Sequence, residues 1–265
     1  MGTVEIENQS ITIYSQIITY GNAADEALTA LIAEEIETMW NEPNGTVQFD
    51  GSTFQVVFKI TSLYSPELSD IDIYQNLDPR NNYFRIEEFA HSNISFVDGL
   101  GCNSGYFKLE NLYKGSTTAA HEYGHTLSLD HPDDTDLRGK GVPGIMFPRG
   151  TLVDPQYQYE PDKPAGTKGG TMHPMHRKVK QEDIELLKLH KIDFENSKAI
   201  IGAFTNYWHP DHAAINDDEE LCCSFFSYSI FDIIIIELKS CSKKFFCTYC
   251  CTLQHLYTHF AQHKF

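Results

Sequence analysis

Residues 121 to 131 read His121-Glu122-Tyr123-Gly124-His125-Thr126-Leu127-Ser128-Leu129-Asp130-His131, and this run decides how the rest of the chain is read. On a helix, His121 and His125 project from one face about a turn apart. That spacing lets two imidazoles reach a single Zn²⁺ at ~2.0–2.1 Å each. Glu122 follows the first His, where its carboxylate can face a water on the metal without being a ligand. His131 lies too far along to share the helix face, and it returns to the metal only if the helix ends near Ser128 and the chain turns. Three protein ligands leave the fourth position to water, the pattern of a catalytic zinc site. The chain carries 12 His. A His-Glu-x-x-His arises by chance in roughly 2–5% of such sequences, and the third His at its fixed offset lowers that roughly twentyfold.

The run resembles the metzincin zinc helix, HExxHxxGxxH, and Ala119-Ala120 before it with Leu127 and Leu129 inside it are similar to the matrixin branch. Downstream, Gly144-Ile145-Met146-Phe147-Pro148 resembles the Met-turn that lies beneath the metal in that clan. Val179-Lys180-Gln181-Glu182-Asp183-Ile184-Glu185-Leu186-Leu187 is similar to the start of the matrixin C-terminal helix. From His131 to Met146 is 146 − 131 = 15 residues, longer than a typical matrixin gap. The family's glycine is Ser128 here, and a side chain at a left-handed position costs roughly 1 kcal/mol. Pro148 stands where a tyrosine fifth ligand would be, the propeptide cysteine switch is missing, and Met172 and Met175 are rival Met-turn candidates. The resemblance implies an α+β zincin-like fold: a twisted mixed β-sheet with an N-terminal helix, a zinc-binding active-site helix and a C-terminal helix. It further implies a zinc endopeptidase in which His121, His125 and His131 hold Zn²⁺, Glu122 is the general base, and Met146 is a structural floor outside the chemistry.

The stretch from about residue 3 to 212 also resembles zincin-like metallopeptidase domains at the C-terminal tips of bacterial polymorphic toxins, which follow Rhs-type carriers. Gly115-Ser116-Thr117-Thr118-Ala119-Ala120 and Pro148-Arg149-Gly150-Thr151-Leu152-Val153-Asp154-Pro155 carry that likeness. It implies delivery outside the cell by a carrier, and an immunity protein as partner.

Composition narrows the classes. Asp plus Glu outnumber Lys plus Arg by 37 to 20, for a net charge of −17. Nucleic acid is not expected as a partner, because its binding relies on Lys and Arg neutralising phosphates. Residues 1–20 carry no Lys or Arg and no apolar core, so no cleavable signal peptide is expected. No apolar run approaches the ~18 residues of a membrane span. An apolar fraction of 41% is enough for a core, and a protein or peptide substrate is the expected partner.

Patterning outlines the body. Alternation predicts a strand pair over 3–20 turning near Asn8-Gln9. Asn22 is a candidate N-cap with Asp25 three residues on, and Leu28, Leu31, Ile32, Ile36, Met39 and Trp40 follow helical spacing. Strands are expected at 46–50 and 53–61 around Gly51-Ser52, and again at 83–89 and 93–97. In the clan that the chain resembles, the strand before the zinc helix borders the cleft, and 93–97 is the candidate for it. Asp70, Asp72 and Asp78 lie in a polar segment read mainly as a solvated loop, with Ca²⁺ as the other option. The stretch 139–171 is rich in Gly and Pro and aperiodic, which suits a loop lining the cleft or a disordered insertion.

The domain expectation is 1–212 for the metallopeptidase body and 213–265 for a poorly structured Cys/Ile-rich tail. That tail holds Cys222, Cys223, Cys241, Cys247, Cys250 and Cys251, six of the 7 cysteines. Cys247-x-x-Cys250 with His255, His259 and His263 leaves too short an interval for an ordinary zinc finger. Cys102 stands apart and reads as a small buried apolar residue. Two other functions stay open at this stage. One is an inactive zincin-like binding module in which Ser128 misplaces His131; the other is an interaction protein acting through the tail, which deletion of residues 221–265 would expose.

Overall fold

The computed structural model describes residues 1–49 and 51–212. These fall within one compact unit, Met1–Ala214. The tail readings and Asp50 lie outside the described residues.

One mixed sheet organises the unit. Strand β1 (Gly2–Glu7) turns through Asn8 and Gln9, both at positive φ, into the antiparallel β2 (Ser10–Tyr20). Paired left-handed residues suit the twist of a tight hairpin. The C-terminal half of β2 pairs in parallel with β5 (Asn81–Glu87), and β5 pairs in parallel with β7 (Ser104–Lys108). On its other side β2 pairs in parallel with β4 (Ser52–Tyr64), whose outer neighbour is the antiparallel β3 (Thr46–Phe49). The order is β3-β4-β2-β5-β7-β6, where β6 (Phe96–Val97) runs antiparallel to β7 at the edge. A last strand, β8 (Lys198–Ile201), pairs with β1.

Helix α1 (Glu26–Asn41) starts three residues later than the sequence suggests. Asp25 is the N-cap, its carboxylate accepting from Leu28 N at 2.7 Å, and Asn22 hydrogen-bonds instead to Glu87 through its backbone. Ile32, Ala33, Ile36 and Trp40 are buried as the 3.6-residue period predicts, whereas Leu31 is 58% exposed. The segment read as a solvated loop contains a short helix, α2 (Asp70–Tyr74), held by a Ser69–Asp72 capping box. Asp78 pairs with Arg80 at 2.6 Å, so two of the three acidic groups already have protein partners. Of the predicted strand at 93–97 only Phe96–Val97 pairs, and β7 and β8 carried too little alternation to be read from the sequence.

The zinc-motif run forms α3 (Thr118–Thr126), and α4 (Gln181–Leu186) begins with Asp183 accepting from Lys180 N at 2.8 Å. The stretch 139–171 has little regular structure but is ordered by isolated pairings. Asp136 bridges Leu152, Gly144 bridges Lys178, and Gln158 bridges Met172. No helix among the described residues is long and apolar enough to cross a membrane.

Candidate metal centre

Nine residues are too few for a helix to be stable by propensity alone, so packing holds α3. Trp40 of α1 donates from Nε1 to the Ala120 carbonyl at 3.0 Å. The Tyr123 ring stands edge-on to Trp40 with centroids 5.9 Å apart, and its hydroxyl meets Ser15 Oγ of β2 at 2.8 Å. Every residue of α3 except His125 is buried. Thr117, left-handed at φ 58°, turns the chain into the helix and anchors it by donating from Oγ1 to the Pro174 carbonyl at 2.8 Å.

The far end is a Schellman motif. Ser128 N–H donates to the His125 carbonyl at 3.0 Å, and Leu129 N–H to the Gly124 carbonyl at 3.1 Å. This pattern requires a left-handed residue after the C-cap, and Ser128 has φ 71°. A residue with a Cβ thus holds this left-handed position without loss of the turn. Ser128→Gly is expected to raise stability by up to about 1 kcal/mol, since glycine enters that region without a Cβ penalty. Urea denaturation checks this; a loss of that size would mean the position is helical in solution.

The turn brings the third histidine back. His131 Nε2 lies 3.1 Å from His121 Nε2 and 3.2 Å from His125 Nε2. The ligand atoms of all three lie within 4.8 Å of one another. The other ring nitrogens are engaged: His121 Nδ1 meets the Ile145 carbonyl and His125 Nδ1 the Leu129 carbonyl, both at 2.7 Å. A carbonyl only accepts, so each Nδ1 carries the proton and each Nε2 presents a lone pair. His131 Nε2 has at most one proton to offer, so at least one close pair sets lone pair against lone pair. A tetrahedral zinc with bonds of ~2.0–2.1 Å places its ligand nitrogens about 3.3 Å apart. The donor set therefore fits that ion, and the carbonyls of Ile145 and Leu129 orient the rings as outer-shell partners do. Burial lowers the pKa of all three imidazoles, which favours the neutral form a ligand needs.

Glu122 is 7% exposed and lies outside the imidazole cluster. Burial pushes its carboxyl up to about 8, opposed by Arg177, Arg149 and a backbone hydrogen bond from Val97 of β6. The edge strand thus sits against the carboxylate the motif singles out. A divalent cation alongside would return Glu122 towards its ionised form.

Met146 is 1% exposed and lies beneath α3, where a Cβ on Gly124 would collide with its Sδ. Its rivals sit elsewhere: Met175 is 54% exposed, and Met172 is buried outside the main core around α3. Cys102 is half-buried and has no disulfide partner among the described residues, and it is more open than its sequence context implied. Sequence reasoning missed Arg177, which is 3% exposed and carries a charge felt by Glu122 and all three imidazoles. A single Arg in a long loop offers no periodic or motif signal. Only folding brings it beside residues more than forty positions away.

No protein-family model and no curated protein sequence matches the chain. Among solved structures, archaemetzincin from Methanopyrus kandleri aligns over 67% of this chain and 95% of its own, at 12% identity and a TM-score of 0.34.

Proposed function

We propose that the chain is a zinc-dependent endopeptidase of metzincin type. The observation that carries this reading is the convergence of three histidine Nε2 atoms, all within 4.8 Å of one another, with Glu122 on the same helix as two of them. His121, His125 and His131 would hold the ion, and Met146 would floor it. A zinc ion bound there acts as a Lewis acid towards the peptide carbonyl and lowers the pKa of its water towards ~7. A carboxylate oxygen of Glu122 accepts the proton of the attacking water and returns it to the leaving amine. The short edge strand β6 beside Glu122 leaves a rim along which an extended peptide substrate can lie.

An inactive binding module is the second reading, and it needs His131 to be out of place. The left-handed Ser128 and the 3.1 and 3.2 Å approaches of His131 favour the active reading. The toxin-tip assignment, with its carrier and immunity partner, rests on the sequence resemblance alone.

The purified protein is expected to retain about one zinc per chain, as a three-histidine site does, and His121→Ala is expected to lose it. Elemental analysis decides this, and zinc surviving that substitution would place the metal elsewhere. A proteome-wide cleavage profile of the loaded wild type against Glu122→Gln then tests the peptidase activity.

A further inference from the structure

Arg177 is a buried cation that the chemistry above does not use. It is 3% exposed, and its Nε is buried with no hydrogen-bond partner. None of the ion pairs among the described residues includes it. A guanidinium offers five donors in a planar fork, and leaving even one of them buried and unmatched is costly. The backbone does not let it move away. Lys178 N–H donates to the Pro143 carbonyl at 3.0 Å, and Lys178 bridges Gly144, so Arg177 is pinned beside the Met-turn segment. Thr117 ties the preceding Pro174 to the start of α3.

Two cations, Arg177 and Arg149, act on Glu122. Arg149, held by Asn111 Oδ1 at 3.0 Å, is the second cation near Glu122. Glu122 acts on Arg177 and Asp130 on His125 and His131, and a divalent zinc would leave the centre net positive. This is the reverse of the chain as a whole, which carries −17. Tyr113 and Tyr159, each about two-fifths exposed, flank His173 at centroid distances of 6.4 and 4.4 Å and form an aromatic rim within reach of the Arg177 charge.

We propose that Arg177, with Arg149 in support, is a specificity subsite that binds a substrate carboxylate beside the metal centre. The substrate class is then a peptide with an acidic side chain near the scissile bond, or one with its free C-terminal carboxylate there. Both present the planar two-oxygen acceptor that an arginine fork matches. The proposal rests on the peptidase reading, but its binding half can be tested without catalysis.

Calorimetric titration of the full-length, zinc-free protein with succinate is expected to show binding that Arg177→Met abolishes and Arg177→Lys weakens. Matched peptides then distinguish the carboxylate source in the zinc-loaded enzyme: Asp or Glu against Asn or Gln on either side of the cleaved bond, and free acid against C-terminal amide. Carboxylate-bearing peptides are expected to be favoured about tenfold or more in kcat/KM, mainly through KM. Arg177→Met should bring that ratio close to one, and Arg177→Lys should keep part of it. Preference for Asp or Glu assigns a side-chain subsite, and preference for the free acid assigns a C-terminal one. Should Arg177→Met fail to fold, judged by its melting curve, the graded loss in Arg177→Lys carries the test. Absence of succinate binding in the wild type, or a carboxylate preference that survives Arg177→Met, overturns the proposal. If no peptide is cleaved yet succinate binds through Arg177, the peptidase reading fails and the subsite stands.

Discussion

Glu122→Gln is expected to abolish peptide hydrolysis while leaving zinc content unchanged. Glutamine keeps the size and hydrogen-bonding reach of the side chain but cannot take up a proton at neutral pH. Loss of a general base costs ~10²–10⁴ in rate. The residue is 7% exposed on α3, so bulk solvent has little access to its position. Zinc should be retained because the three proposed donors are His121, His125 and His131, with the outer nitrogens of the first two fixed by backbone carbonyls that the substitution does not touch. Steady-state hydrolysis alongside elemental analysis reads both arms. Activity within twofold of wild type removes Glu122 from the proton path. Loss of zinc makes it a structural support of the site instead.

Gly124→Ala is expected to lower stability by about 1–3 kcal/mol, the usual cost of overpacking a core. Zinc affinity is expected to fall roughly 10–100-fold, as when an outer-shell support is lost. An added Cβ would drive into Met146 Sδ and stand 3.1 Å from Trp40 Cζ2. Methionine is flexible, but Met146 is only 1% exposed, and its neighbour Ile145 holds His121 Nδ1 through its carbonyl. Moving the methionine therefore pulls on a ring that must point at the metal. Trp40 has little freedom either, since its Nε1 donates to Ala120 of the same helix. A second change, Met146→Ala, should recover part of the loss, because contacting residues couple in a double-mutant cycle. Thermal unfolding and competitive zinc chelation measure the two effects. A Gly124→Ala protein as stable and as zinc-avid as wild type would show that helix and turn do not meet there.

Much of the centre was legible in one dimension because its chemistry is local. A spacing of four places His121 and His125 on one helical face whatever the rest of the chain does, and Glu122 comes with them. The hairpin at Asn8-Gln9, the α1 stripe from Ile32 to Trp40 and the β3–β4 pair were legible for the same reason: period and turn chemistry act within a few residues.

Contacts between distant segments were not legible. Sequence alone left open whether Ser128 could take the left-handed position that turns His131 back; the Schellman bonds around it and φ 71° decided that. Which methionine packs beneath α3 depended on its contact with Gly124, across twenty-two positions that no local pattern encodes. The proton positions on His121 and His125 were set by carbonyls of Ile145 and Leu129, groups every residue possesses, so side-chain identity could not reveal them. The central strand β7 is flat in hydrophobic pattern because both its faces are covered, which removes the alternation that marks a half-exposed strand. Sequence thus determined the donor atoms and their order. Tertiary structure decided their orientation, the floor beneath them and the buried Arg177 beside them, because those depend on long-range packing and on the low dielectric that packing creates.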